Sequence, residues 1–427
     1  MGSIRRILGI DSTLVVSAAI IIAASLYVLS TAIVDPGGAL NESYAHKQIA
    51  FAIIGLGMMI GISRVPLGVW MGIWPQLLAI SVVSVLSVRV IGTTVNGAKS
   101  WIVIGPLSLQ PSEFGKIAVI LAGAGFLASR LRQIREPRTV LATLGLFAIP
   151  TGVVFVQPDF GTSQVYGAIA IGLLFFAGVR FLHFAVMGGL LVAAGVLMLG
   201  ILPAAGVEVL HEYQVKRLTG FLNPEADAQG SNYQTIQAKV AIGSGQLMGR
   251  PGDEATQVQQ GFLPEPQTDF IFAALVERHG FLGGGLLLCV YLLFLSRLLY
   301  AVGAAATIHG RLIAAGVATM FFVQLLLNVG MVIGVLPVTG LPMPMFSYGG
   351  SSLWTSMGAL GLVFAVLRES EAPRVRYTRR TGRPVGGYGS LRAAGSERAR
   401  AGRRTVSPSR TPLVGGTAKR RRRRPSR

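Results

Sequence analysis

Long apolar runs separated by short polar segments dominate the chain, at 13–34, 48–64, 68–91, 114–129, 139–156, 162–179, 181–203, 270–296, 312–336 and 351–367. Most are about 17–25 residues long, enough for a helix to cross a hydrocarbon core of about 30 Å. Inside a bilayer each segment must satisfy its own backbone N–H and C=O groups, which selects helices. The pattern predicts an all-α integral membrane protein with about ten transmembrane helices over 13–367. The first run is too long for a signal-peptide core and lacks a small-residue cleavage site, so it counts as a span. A long polar segment, 204–269, and a C-terminal tail, 368–427, fall outside the pattern.

Composition agrees, since 13% of residues are charged where a soluble domain carries about 25%. Short-loop arginines set the orientation. With 1–12 in the cytoplasm, Arg5, Arg6, Arg64, Arg130, Arg132, Arg135, Arg138, Arg180, Arg297 and Arg311 all fall inside, and ten spans return the C-terminus to the same side. The segment 204–269 is then the one long extracytoplasmic loop. The tail holds 19 of the 38 Lys and Arg against three acids, Glu369, Glu371 and Glu397, and so carries +16 of the formal +20. Its Gly-, Pro-, Ser- and Arg-rich make-up predicts disorder. "KRRRRR" at 419–424 reads either as a solvated topology anchor or as adhesion to anionic lipids. Nucleic acid is not an expected partner, because a juxtamembrane cytoplasmic tail carries such charge anyway. The lone Cys289 sits mid-span and reads as packing.

Ionisable groups at or inside apolar spans are costly unless partnered or wet, and here they gather at the outer ends. Glu113 and Lys116 share a helix face three residues apart and can pair. Asp159 lies in the short loop "QPDFGTS", where a turn or helix-cap role is expected. Asp269 and Glu277 flank the start of the eighth span eight residues apart, roughly on one face, with Arg278 placed to neutralise Glu277. In the long loop, "YQVKRLTGFLNP" (213–224) supplies Lys216 and Arg217. "YQTIQAKVAIGSGQLMG" (233–249) has the spacing of an in-plane helix, with Ile236, Val240 and Ile242 toward lipid and Gln237 and Lys239 toward water. Trp101 reads alone as an aromatic-belt anchor. "FSYGGSS" (346–352) offers Ser347, Gly349 and Gly350 either as a turn and cap or as an anion site at a helix start.

Six motifs occur together and in order: "NGAKSWI…QPSEFGK" (96–116), "QPDFGTS" (157–163), "YQVKRLTGFLNP" (213–224), "AIGSGQLMGR" (241–250), "FLPEPQTDFIFA" (262–273) and "NVGMVIGVLPVTGLPMPMFSYGGSSL" (328–353). On these the chain, over roughly 10–370, resembles the SEDS family of shape, elongation, division and sporulation proteins. "AIGSGQ" and "QQGFLPEPQTDFIFA" resemble its elongation branch, RodA, more than its division branch, FtsW. Two positions depart from the family pattern: Arg278 follows Glu277 where two consecutive acids are common, and Gln246 replaces a glycine.

The resemblance implies a ten-helix peptidoglycan glycosyltransferase that polymerises lipid II outside the cytoplasmic membrane, working with a class B penicillin-binding protein. It places the family's essential acid at Asp269 and its outer-loop tryptophan at Trp101. Such chemistry needs a sugar hydroxyl to attack an anomeric carbon while a pyrophosphate leaves, so a carboxylate that accepts the hydroxyl proton is the natural base. Asp269, one residue outside an apolar helix, stands at interface depth for a lipid-anchored donor. Its expected role is general base in an inverting displacement, or ligand of a divalent cation, Mg²⁺ or Mn²⁺. A helix N-cap is the plain alternative. Lys216, Arg217 or Lys116 would offset the leaving charge. A lipid II flippase is the rival class, because Pro150 and Gly283–Gly285 interrupt spans. Transporters, however, place their ionisable sites near the midplane.

Overall fold

Every apolar run folds as a helix. The computed structural model describes residues 11–33, 42–95, 98–105, 107–157, 159–204, 233–250 and 254–381. The spans are α1 Ser12–Thr31, α2 Ser43–Arg64, α3 Leu67–Ile91, α4 Pro111–Ser129, α5 Pro137–Val156, α6 Phe160–Ala177 and α7 Phe181–Val196. After the long loop come α8 Tyr233–Gly245, α9 Thr256–Gln259, α10 Ile271–Ala304, α11 Ile308–Val332 and α12 Gly350–Thr381. Among the described residues, nine helices are long and apolar enough to cross a membrane. The tenth, α7, reaches that length only with the π-helical turn Leu197–Ile201 and the short helix Leu202–Ala204 that follow it. The protein is therefore a multi-pass membrane protein.

Burial ranks the helices. From Ser351 to Leu367, α12 is buried throughout, and its Ser351, Ser352, Thr355 and Ser356 are small enough to let neighbours approach closely. Around it stand α4 and α11, whereas α2 and α3 keep few buried residues and α7 none. A helix apolar on every side without protein contact faces lipid. Helix α12 runs to Thr381, past the boundary expected at 367, and the rest of the basic tail, 382–427, lies outside the described residues. At that tail end, Arg297 at the foot of α10 pairs with Asp11, the N-cap of α1.

Two features depart from the sequence expectation. Between α3 and α4 the chain forms an antiparallel sheet, β1 Thr93–Val95, β2 Ala98–Ile104 and β3 Leu107–Leu109, in the order β1-β2-β3. Helix α10 is also broken, at Gly280 and not at Gly283–Gly285. Gly280 has φ 66° and ψ −168°, a region that a side chain disfavours. A Cβ there would fall 2.4 Å from Gly249 N and Leu247 O. The amides freed by the break find partners in the turn after α8, with Phe281 N donating to Gln246 O at 2.8 Å and Leu282 N to Leu247 O at 3.2 Å. From Phe281 to Ala304 the helix extends about 36 Å, enough to span alone. The half-helix Ile271–His279 therefore continues beyond the span, with Ile271 to Glu277 all buried in protein.

Candidate functional site

Asp269 precedes this buried half-helix, and three consecutive carbonyls fix its backbone. Gln267 O accepts from Tyr348 N at 2.9 Å, Thr268 O from Ser347 Oγ at 2.5 Å, and Asp269 O from Asn328 Nδ2 at 3.0 Å. Asn328, on α11 and fully buried, uses the same nitrogen to hold Leu341 O at 2.8 Å. A half-buried side chain on so fixed a backbone is pre-positioned. Opposite it lies Gly340, φ 67°, whose absent Cβ would stand 3.5 Å from Asp269 Oδ2.

The segment Thr339–Leu341 joins this acid to the second cluster. A Cβ on Gly161, in the first turn of α6, would meet Thr339 O at 2.7 Å and Leu341 Cγ at 2.6 Å. Just before it, Asp159 caps α6, accepting from Thr162 N at 3.1 Å through Oδ1. Its Oδ2 accepts from Gln110 Nε2 and Ser112 Oγ, each at 2.9 Å. Gln110 N in turn donates to Ser351 Oγ at 3.0 Å, and that hydroxyl donates to Ser108 O at 3.2 Å. Asp159 is thus the structural cap its loop predicts, and it ties β3, α4, α6 and α12 together.

One turn into α4, Lys116 Nζ lies 2.5 Å from Glu113 Oε1, with Lys116 fully buried and Glu113 2% exposed. The predicted pair is real, and it commits the lysine to its own helix. Trp101 lies on β2 opposite Thr93, half-exposed. Lys216 and Arg217 lie outside the described residues.

Several expected contacts differ. Glu277 is fully buried, and its two oxygens accept from Gln257 N at 2.8 Å and Val258 N at 3.1 Å, so it serves the start of α9 and is not presented to a ligand. Arg278 does not neutralise it, because its guanidinium donates to Thr31 O at the end of α1. Ser347, 3% exposed, spends its hydroxyl on Thr268 O and on Met343 N. Ser347 thus belongs to the clamp around 267–269, while Gly349 N donates to Gln48 Oε1 on α2 at 3.3 Å. Gly350 begins α12 against the Phe51 ring. In α8 the buried face is Ala238, Ala241 and Gly245, packed on α10, with Ile236 and Ile242 only partly exposed. Small residues are needed there because a Cβ at Gly245 would lie 2.1 Å from Val276 O. Lys239, exposed as expected, crosses the end of α11 in the space left by Gly334.

Among the described residues no three His, Cys, Asp or Glu side chains gather as a metal site. Asp269 can offer one carboxylate, which suits a hydrated Mg²⁺-like ion whose other ligands come from water and substrate phosphates. A dedicated protein cage is not present among these residues.

The geometry matches a family and its relatives. Residues 11–372 match the cell cycle protein model that groups FtsW, RodA and SpoVE. The chain is 35% identical over 347 residues to the peptidoglycan glycosyltransferase MrdB of Escherichia coli, covering 81% of this chain and 92% of that protein. It is 37% identical over 331 residues to the stage V sporulation protein E of Bacillus subtilis, covering 77% and 87%. Among solved structures, a chain from a study of polymerization and crosslinking by a peptidoglycan synthase complex superposes with TM-score 0.70 at 30% identity, covering 84% of this chain and 98% of that one. RodA of Thermus thermophilus superposes with TM-score 0.62 at 28% identity, covering 84% and 97%.

Proposed function

Because the chain belongs to the FtsW/RodA/SpoVE family and is a peptidoglycan glycosyltransferase, we propose that it polymerises lipid II into glycan strands at the outer face of the cytoplasmic membrane. The observation that carries this reading is the clamped Asp269 backbone, because a general base is effective only when held within hydrogen-bond reach of its proton. In the proposed step the acceptor hydroxyl oxygen bonds to the anomeric carbon, its proton passes to Asp269, and the bond to the pyrophosphate breaks with inversion. The pyrophosphate leaves on its lipid with the bonding electrons. Lys116 is committed to Glu113, so compensation of that charge is assigned to the loop cations Lys216 and Arg217. Were a divalent ion bound, Asp269 would instead serve as its protein ligand, and the ion would help compensate the leaving charge.

The motifs around 241–250 and 260–273 favour the elongation role over division. A class B penicillin-binding protein is the proposed partner, in keeping with the synthase complex from which the superposed chain comes. Anionic lipids are proposed to contact the basic tail. Helix breaks such as that at Gly280 also occur in transporters, where they line ion sites. Here the freed amides are consumed by the turn after α8, so the break gives a flippase no site.

Lipid II supplied in detergent to the purified protein with its transpeptidase partner tests the reading. Glycan strands on a gel are expected. Micelles have no two faces to move a lipid between, so a protein that only transported lipid II would make no polymer in an otherwise competent reaction. Depletion in cells separates the two roles, rounding being expected for elongation and filaments for division.

A further inference from the structure

Helices α1, α2 and α12 enclose a trough of about 380 Å³ whose lining is wholly apolar, with Val15, Ala19 and Ala23 on one wall, Ile53 and Leu56 on the second and Phe364 on the third. From Val15 to Leu26 it runs about 16 Å along α1, close to the depth of one leaflet. A trough of that length with a wholly apolar lining suits a hydrocarbon chain.

One end of the trough is charged. Helices α2 and α12 run parallel in fixed register, since a Cβ at Gly55 would meet Met357 Cγ at 3.0 Å and one at Gly361 would meet Met59 O at 2.7 Å. The register ends where Arg368 Nη2 donates to Arg64 O at 2.9 Å. Met59 and Phe364 line the trough, so both arginines follow about a turn beyond it. Neither makes an ion pair among the described residues. Of the acids nearby, Asp11 is taken by Arg297, and Glu369 and Glu371 each keep one carboxylate oxygen buried in the protein.

We propose that this trough is a site for one acyl chain of an anionic phospholipid whose phosphate sits on Arg64 and Arg368. Under the orientation read from the short-loop arginines, the lipid belongs to the cytoplasmic leaflet. Charge selects the headgroup and the apolar lining takes the chain.

The test uses the full-length protein in phosphatidylcholine bilayers containing phosphatidylglycerol with a diazirine in its acyl chain. After illumination, adducts are mapped by mass spectrometry. They are expected to concentrate on α1, α2 and α12 and to be competed at least 5-fold better by unlabelled phosphatidylglycerol than by phosphatidylcholine. R64Q with R368Q should erase that preference, and A19F with A23F should cut the adducts several-fold while the protein keeps its unfolding temperature. The basic tail, acting in the headgroup layer, is untouched by A19F and A23F, so their effect separates the two lipid contacts. Adducts spread evenly over lipid-facing helices such as α7, equal competition by both lipids, or indifference to A19F and A23F would overturn the proposal. So would displacement of the adducts by the transpeptidase partner, which would make the trough a helix-docking surface.

Discussion

Asn328 Nδ2 binds the carbonyl of Asp269 at 3.0 Å and that of Leu341 at 2.8 Å, so one buried amide sets the acid and the segment facing it. Replacing Asn328 with Leu removes both bonds and strands two carbonyls, a cost of about 1–3 kcal/mol each when buried. The variant should lose thermal stability, and the folded fraction should polymerise at least 10-fold more slowly with KM little changed. Turnover per folded molecule, with KM measured separately, checks this. A merely structural role would leave per-molecule turnover intact.

Lys116 and Glu113 form a buried pair, and deleting one partner leaves an uncompensated charge at a cost of about 3–5 kcal/mol. Lys116→Met should therefore sharply reduce folded yield, and Glu113→Gln with Lys116→Met should restore it. If the double variant folds and also polymerises, the pair is architectural. A folded but inactive double variant would show that the cation acts on substrate.

Gly280→Ala places a methyl against the backbone of Leu247 and Gly249 at a positive φ. Displacing that turn should lower the unfolding temperature in detergent by several degrees and loosen α8, seen as faster amide exchange over 233–250. Unchanged exchange there would mean that the break is not held by the turn.

Asp11 tests the tail end. Burial alone would raise its pKa, but the hydrogen bond and charge of Arg297 and the amides of Leu14 and Thr13 outweigh it and leave the carboxyl below its usual value. A depressed carboxylate stabilises the fold above its unfolded pKa, about 3.9, and loses that contribution as pH falls through the lower folded value. The stability gap between native protein and Arg297→Gln should be steady from neutral pH to about 5 and close below about 4. The gap should be small, because the pair is partly exposed.

The spans were legible because run length and apolarity decide a membrane helix almost alone. The ends of α10 were less so, since the break at Gly280 depends on the approach of residues 246–249, a tertiary contact that leaves no mark in its own run. The small sheet had a local signal, Asn96–Gly97 between two β-prone stretches, which its Gly- and Pro-rich surroundings obscured. At the site, Asp159 as a cap and Glu113 with Lys116 as a pair followed from spacing. Glu277 did not, because its partners, Gln257 N and Val258 N, lie about 20 residues upstream. Asn328 went unnoticed as a polar residue in an apolar run, although the cost of burying an amide is itself the signal.

Glycan synthesis from lipid II by the protein with its partner, compared with Asp269→Asn at equal folding and partner binding, tests the central claim most directly. Polymer from the native chain and a loss of at least about 100-fold in the variant are predicted, within the contribution expected of a positioned base. Equal polymer from both would contradict a catalytic role for Asp269.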